Sequence, residues 1–224
     1  MKNTVTETFN IDVPIFAFSH CRDVVAAVSK AGGFGVLGAV GHSPDALEID
    51  LKWIEDEIGE HPYGVDLIVP AKYEGSDEGG LTVHKIADMI PDAHHEYVTE
   101  ILEKYDVPEL AETKSGQFSM KNDGAAPMSA GTAGPQLEIA LAHNPSLVVN
   151  ALGPPPQFMI DQVKEAGRKV GALAGKAQHA ERHVNAGVDL IIAQGYEAGG
   201  HTGEIGSMVL IPEIVDAVGD VPVL

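Results

Sequence analysis

The chain has 224 residues, of which 44% are hydrophobic, and its 33 Asp and Glu against 14 Lys and Arg give a formal net charge of −19. This composition predicts a folded anionic protein and excludes a dedicated binder of duplex DNA or of an acidic membrane, both of which need a basic surface. Cys21 is the only cysteine, so an internal disulfide is excluded. The first ten residues lack the apolar core of a secretory signal, and the uncharged stretch 139–160 contains four prolines, so we expect a cytoplasmic protein without a membrane span.

Short apolar segments alternate with longer amphipathic ones, which indicates repeated βα units around a parallel sheet. Strands are predicted at 13–18, 34–40, 63–69, 147–152, 170–174 and 188–193, and a further strand begins at Val221. Helices are predicted at 22–30, 43–59, 94–104, 135–142, 157–167, 177–186 and 210–218.

This order gives six βα units and the start of a seventh. It predicts an α/β fold of the (β/α)8 TIM-barrel class, truncated after about six and a half units, since a closed barrel needs eight strands and about 250 residues. A doubly wound sheet closes with fewer strands and is the alternative. The single domain 1–224 would carry an irregular insertion at about 71–144, which has an acidic Gly-rich loop and a polar Gly-rich run; such segments are lids, binding loops or mobile insertions.

Four sequence patterns are better explained by structure than by chemistry. The segment 33–38 matches the dinucleotide fingerprint G-x-G-x-x-G, but it follows a helix and lies in a strand, so we expect capping and close packing there. His179 and His183 share a helix face, but the sequence HAERH misplaces the glutamate of zinc proteases, and we expect both in solvent. The pair 94–95 and the acidic run 48–60 are interpreted as a solvated helix start and a solvated helix face.

The strongest pattern is the run AQGYEAGGHTG at 193–203, which directly follows the apolar strand VDLII. Catalytic groups gather at the carboxyl ends of barrel strands. The glycines let backbone amides approach an anion or a flat ring, and His201 can titrate near neutral pH. The run has no Ser or Cys nucleophile beside a base, which weakens a hydrolase interpretation. A tight turn with an exposed histidine is the alternative.

This run resembles the motif of the nitronate monooxygenase family, formerly called 2-nitropropane dioxygenases, which are FMN-dependent (β/α)8 barrels. The resemblance extends through the segments PIFAFSH, AAVSKAGGFGVLGA, GVDLIVP, GPPPQFMIDQVKEAG and KVGALAGKAQHAERHVNAGVDLIIAQG. It covers most of the chain outside the insertion.

The resemblance implies roles for individual residues. His201 corresponds to the active-site base, and an ordinary histidine pKa of about 6.5 suits proton transfer from a substrate carbon. Gln194, Gly199 and Gly200 correspond to flavin-contacting positions. No metal site is expected.

Three positions depart from the family pattern. Asp66 stands where the third-strand motif usually has Asn, which would put a carboxylate beside the flavin. The first-strand stretch that lies against the flavin is here Ala17, Phe18 and Ser19, followed by His20 where Met is usual. Lys176 stands where Ser or Thr is common and would add a positive charge near flavin or substrate.

The resemblance also implies a continuation. Family members have a Gly-rich segment and a later Gly-Thr turn that hold the FMN phosphate, and the chain stops at Leu224 before either. We therefore expect an amino-terminal part of a longer enzyme that binds FMN poorly when isolated. Stoichiometric flavin absorbance in a purified sample would contradict that expectation.

The function implied is oxidation of small alkyl nitronates with O2, giving a carbonyl compound and nitrite. A flavin-dependent enoyl-ACP reductase is the first alternative, although a charge of −19 disfavours docking of an acidic carrier protein. An inactive flavin-fold fragment is the second. Oligomeric state is not encoded in any recognisable pattern.

Overall fold

The computed structural model describes residues 2–70, 81–108 and 129–224. Its six strands are β1 (Phe16–Ser19), β2 (Phe34–Gly38), β3 (Tyr63–Leu67), β4 (Leu147–Asn150), β5 (Lys169–Ala174) and β6 (Leu190–Ala193). Its helices are α1 (Thr4–Phe9), α2 (Arg22–Lys30), α3 (Pro44–Ile58), α4 (Val83–Asp88), α5 (Asp92–Lys104), α6 (Ala130–Ala142), α7 (Gln157–Glu165), α8 (Ala177–Ala186) and α9 (Ser207–Val218).

The six strands form one parallel sheet in the order β1 to β6. Each strand pairs with the next along the chain, which is the order of a barrel; in a doubly wound sheet the first strand would lie in the middle. A parallel bridge joins Ile191 to Val223, so the chain begins a seventh pairing beside β6. The fold is therefore a curled half-barrel with outer helices. The prediction of six βα units in barrel order is confirmed, and the doubly wound alternative is wrong.

Helices with one apolar stripe cover the outer face of the sheet. In α3, Leu47, Leu51, Ile54 and Ile58 recur at helical spacing and are buried against the sheet. Ser43 caps this helix by accepting a hydrogen bond from the Ala46 amide. These helices and the outward side chains of the strands form the larger of two apolar clusters.

The segment 33–38 is a strand and not a phosphate-binding turn. Gly35 packs against the backbone of Val25 in α2, so closely that a Cβ would collide with the Val25 carbonyl. Gly38 faces the rings of Phe18 and His20 in the same way. The predicted explanation by close packing is confirmed.

The short amino-terminal helix α1 was not predicted. It brings Phe9 against Phe16 and Phe34, with ring centroids 5.2 and 5.1 Å away, and closes the amino-terminal end of the half-barrel. Six residues with little apolar periodicity give no pattern that predicts a helix, and only tertiary contact of Phe9 shows its role.

The helix α4 (Val83–Asp88), inside the predicted irregular insertion, was not predicted either. The remaining differences from the predictions concern boundaries. β1 begins at Phe16 rather than Val13, because Pro14 has no amide to donate and the Val13 amide bonds to Gly32 outside the ladder. α6 begins at Ala130, five residues before the predicted start. Within the predicted irregular insertion, residues 71–80 and 109–128 lie outside the described residues.

Within the described ranges no helix is long and apolar enough to cross a bilayer.

Candidate active site

A cavity of about 570 Å³, called here the barrel cavity, lies at the carboxyl-terminal end of the sheet. Inward-facing side chains of the strands and one loop form its wall: Phe16, Phe18, Val36, Asp66, Ile68, Leu147, Val149, Ala151, Leu152, Leu173, Ile192, Gln194, Gly199, His201 and Leu224. Most of these side chains are aliphatic or aromatic. The few polar groups therefore determine how a ligand is oriented.

Five of the predicted site residues line the barrel cavity: Phe18, Asp66, Gln194, Gly199 and His201. They come from β1, from β3, from the end of β6 and from the loop that follows it. Residues distant in sequence are thus brought together in the way a shared ligand site requires. Their contacts with a flavin stay predictions.

Four other predicted residues lie nearby but outside the wall. Ala17 and Ser19 alternate with the cavity-facing Phe16 and Phe18, so their side chains point to the other face of β1. Lys176 is exposed at the N-cap of α8, and Gly200 is exposed one residue beyond Gly199.

Asp66 is the most unusual group of the barrel cavity. Its Oδ1 atom is buried and has no hydrogen-bond partner in the described part of the chain. Burial raises its pKa from 3.8 to about 7, and no neighbouring charge contributes to the shift. At neutral pH a large fraction of this carboxyl is therefore protonated and able to donate a hydrogen bond.

The loop from Gln194 to Gly206 is held at its base and open at its tip. The Tyr196 amide donates to the Ile205 carbonyl at 3.0 Å, closing the loop. Glu197 accepts hydrogen bonds from the Ser207 amide and hydroxyl, at 3.0 and 2.8 Å, and so caps α9. A hydrogen bond from its own backbone amide is the main cause that lowers the pKa of Glu197, and the two bonds from Ser207 lower it further. The carboxylate that caps α9 therefore stays ionised.

Two glycines allow this loop to pass close to the loop after β5. A Cβ on Gly203 would lie 2.8 Å from the Gly175 carbonyl oxygen, closer than real contacts permit. At the tip the situation is reversed, because a Cβ on Gly199 or Gly200 would meet nothing within 4 Å. The tip therefore presents open backbone to the cavity, and His201 follows it as an exposed side chain.

At the opposite wall, Phe18 presents an aromatic ring that is 55% exposed. His20 packs edge-on against this ring, and its Nδ1 lies 2.9 Å from the Gly38 carbonyl oxygen. The histidine that replaces the usual methionine is thus bound to strand β2 and supports Phe18.

A second cavity of about 370 Å³ adjoins the first and shares Gln194 and His201 with it. His179, Arg182 and His183 of α8 line its far side. The expectation that both helix histidines are solvated is wrong for His183, which is buried with Nε2 3.1 Å from the Leu173 carbonyl oxygen. Burial lowers the pKa of His183, because α8 packs this face on the sheet.

No cluster of three or more potential metal ligands occurs among residues 2–70, 81–108 and 129–224. His94 and His95 are exposed near the start of α5, as predicted.

Two positioning residues were missed by sequence reasoning. Asn150 accepts a hydrogen bond from the Val69 amide at 2.8 Å and donates to the carbonyls of Leu152 and Gly153. Gln136 of α6 donates to three carbonyls of the loop after β2, at 2.9 to 3.3 Å. Both side chains are buried and fix loops around the cavity. The sequence signal that could have revealed both residues is a polar side chain within an otherwise apolar strand or helix.

Solved structures with the same architecture include a FabK from Thermotoga maritima, with a TM-score of 0.67 and 22% identity over 100% of this chain and 53% of that one. A nitroalkane oxidase from Streptomyces ansochromogenes gives a TM-score of 0.68 and 23% identity over 99% of this chain and 59% of that one. At these identities the likeness establishes the TIM-barrel fold.

Relatives that are similar in sequence identify the family. The "Putative monooxygenase Rv1533" of Mycobacterium tuberculosis is 49% identical over 224 residues, and the "Probable nitronate monooxygenase" of Staphylococcus saprophyticus is 29% identical over 239. The chain spans 59% and 60% of the lengths of these two relatives. The family model described as nitronate monooxygenase matches residues 2–224. The chain therefore belongs to the nitronate monooxygenase family.

Proposed function

We propose that this chain forms the flavin- and substrate-binding part of an FMN-dependent nitronate monooxygenase. Its substrates would be small alkyl nitronates and the nitroalkanes from which they derive, with O2 as acceptor and a carbonyl compound and nitrite as products. Family membership and the likeness to the solved barrels support flavin-dependent oxidoreduction. The observation that carries the proposal is that Asp66, Gln194 and His201, from three separate segments, line one apolar cavity.

The described residues suit a flavin. The walls are apolar on both sides, and the Gly199–Gly200 tip leaves room for a flat ring. Phe18, Asp66, Gln194 and Gly199 would hold the ring system, with Gly200 and the backbone of Ala17 and Ser19 beside it. Lys176 would supply a local positive charge that a phosphate needs near a protein of charge −19. Bound FMN would supply the electron transfer, for which the side chains of the cavity have no substitute.

The protein's own contribution is orientation and proton transfer. His201 is exposed at the cavity, so its imidazole can reach a substrate carbon and remove a proton from a neutral nitroalkane. A nitronate has already lost that proton, so it needs His201 less. Aliphatic side chains such as Leu173 and Ile192 would contact the alkyl group, which favours small apolar substituents.

Oxygen uptake tests this proposal. Because weak FMN binding is expected, the purified protein is given FMN at rising concentrations until the rate no longer changes. It is then mixed with ethyl nitronate, and separately with an enoyl thioester and NADH. We expect oxygen consumption and nitrite release with the nitronate. NADH consumption without nitrite would favour the enoyl-ACP reductase, and no turnover of either substrate would favour the inactive fragment.

Substitution of His201 by Asn tests the role of the imidazole. We expect kcat/KM for neutral nitroethane to fall by about 100-fold or more, as for loss of a general base, and kcat/KM for ethyl nitronate to fall much less. His94→Asn, an exposed histidine on α5, is the matched control and should change neither. Equal losses on both substrates would remove His201 from proton transfer. Our proposal that the enzyme is cytoplasmic is independent of these tests.

A further inference from the structure

Asp66 lies on the inner face of β3, at the middle of the sheet. In the strand register it is flanked by Gly38 of β2 and Val149 of β4. Its neighbours Val65 and Leu67 are fully buried on the opposite face, among the outer helices. The carboxyl group is therefore fixed by the pleat of a central strand and directed into the barrel cavity.

The surroundings of this carboxyl are apolar. Neither a salt bridge nor a hydrogen bond to the Asp66 side chain occurs within the described ranges, and Oδ1 is buried. Val36, Ile68 and Val149 lie around it in the cavity wall. A buried carboxylate without a partner is costly, so the group tends to take up a proton or to recruit a ligand that pairs with it.

The other ionisable groups near β3 are engaged elsewhere or lie across the cavity. On the β2 side, His20 is bound to the Gly38 carbonyl, and the buried His42 is paired with Asp50 at 3.1 Å. From the β6 side, His201 is the other ionisable side chain that lines the cavity among the residues that the structure describes. None of them perturbs Asp66, whose pKa is raised by burial alone.

We propose that Asp66 is a specificity-determining acid that admits an anionic ligand group to the barrel cavity only when its own carboxyl is neutral. The neutral carboxyl donates its O–H to an oxygen of the anion, such as the nitro group of a nitronate. The ionised carboxyl offers only acceptors and repels the same group. An asparagine at this position would donate at every pH, so the aspartate makes anion binding dependent on pH. This inference rests on the proposed function, from which it takes the class of ligand.

Acetate and acetamide provide a matched anionic and neutral pair of inert ligands. Their dissociation constants are measured by titration calorimetry from pH 6.0 to 8.5 on the purified protein with FMN added. For an acid that titrates near pH 7 we expect the Kd of acetate to rise by about 30-fold over this range, because only the neutral fraction binds. The Kd of acetamide should stay constant.

Two variants test which residue causes the pH dependence of acetate binding. Asp66→Asn should bind acetate with a Kd that varies less than about threefold with pH, the spread expected for context alone. His201→Asn should keep most of the rise, which separates Asp66 from the second ionisable group of the cavity. A steep rise retained in Asp66→Asn, its loss in His201→Asn, or no acetate binding at pH 6.0 would overturn the inference.

A direct titration covers the case in which a variant fails to fold. In protein labelled with ¹³C at aspartate carboxyls, one buried signal should titrate near pH 7 rather than near 4, and bound acetate should move its midpoint upwards. If every aspartate carboxyl titrates near 4, the inference is refuted. Because none of these measurements uses turnover, they can fail while oxygen uptake with nitronates succeeds, and the reverse also holds.

Discussion

The buried ionisable groups at the two ends of the half-barrel differ in whether they have partners. At the amino-terminal end, His143 lies between Glu55 and Glu48, at 2.9 and 3.0 Å, and the Tyr63 hydroxyl donates to Glu55. At the carboxyl-terminal end, the Oδ1 atom of Asp66 is buried without a hydrogen-bond partner among the described residues, and His201 is exposed. Both ends have a cavity of similar size, about 470 and 570 Å³. Paired groups stabilise the fold, whereas unpaired groups are available to a ligand, and this contrast supports our proposal that the site lies at the carboxyl-terminal end.

The apolar closure of the amino-terminal end should give the largest effect. Phe34 is fully buried and stacks on Phe16 with centroids 4.5 Å apart, so Phe34→Ala should lower the free energy of unfolding by about 3–5 kcal/mol. Phe18→Ala, on the exposed ring of the neighbouring strand, should cost less than about 1 kcal/mol. Chemical denaturation of both variants measures the difference. Equal losses would mean that the ends do not differ in packing.

Asp66 should destabilise the protein at alkaline pH, since its folded pKa of about 7 lies above the ordinary 3.8. Its favourable contribution is complete below pH 3.8 and is lost as the pH rises through 7. Asp66→Asn should therefore be more stable than wild type at pH 8, by up to about 4 kcal/mol, and show no such gain at pH 4. Asp216→Asn, at an exposed position of α9, controls for the removal of a charge. A gain that is independent of pH would contradict this prediction.

His143 should show the opposite behaviour. Burial works to lower the pKa of His143, but its hydrogen bonds to Glu55 and Glu48 outweigh burial and raise it above 6.5. The protonated His143 therefore stabilises the fold fully below pH 6.5, and this contribution is lost as the pH rises through the folded pKa of His143.

Burial works to raise the pKa of Glu55, yet its bonds to His143, the Asn144 amide and Tyr63 lower it below 4.5. Stability from Glu55 is thus present above pH 4.5 and lost as the pH falls through its folded pKa.

We expect His143→Gln to cost about 1–3 kcal/mol at pH 6, as for hydrogen bonds to charged groups, and less at pH 9. Denaturation curves at the two pH values measure the change, with His94→Gln as an exposed control. A cost that grows with pH would show that the imidazolium is not what the carboxylates stabilise.

The smallest effect is expected where a pair is exposed. Lys30 and Glu57 also lie towards the amino-terminal end, with Nζ and Oε2 2.8 Å apart, but both side chains are more than 40% exposed. Lys30→Met should change the free energy of unfolding by less than about 1 kcal/mol, and added salt should remove what remains. A larger loss would mean that pairing alone, without burial, distinguishes this end.

Much of this architecture could be predicted locally. The strand cores and the helices α2, α3 and α8 follow from apolar periodicity and from caps such as Ser43, because those signals come from residues a few positions apart. The helix α1 could not be predicted in this way, because its position depends on a partner far along the chain, the Phe34 ring that contacts Phe9. The start of α6 is set locally by Ser129 and Thr132, a cap that the prediction missed by starting the helix at Pro135.

The candidate site, too, could be predicted only in part from the sequence. The run 193–203 and its histidine are conspicuous in the sequence, as is the aspartate at position 66. That Gln136 and Asn150 fix the loops around them, and that His183 faces inward, depends on long-range packing that no local pattern records.

The sequence by itself determined the parallel βα order, the family and the acidic surface, because periodicity, motif and charge are properties of neighbouring residues or of composition. Only the tertiary structure decided which polar groups are paired and which are left unpaired. Asp66 is an ordinary acidic residue in the sequence. It becomes a carboxyl with a raised pKa because the curled sheet surrounds it with apolar side chains from other strands and places no partner beside it.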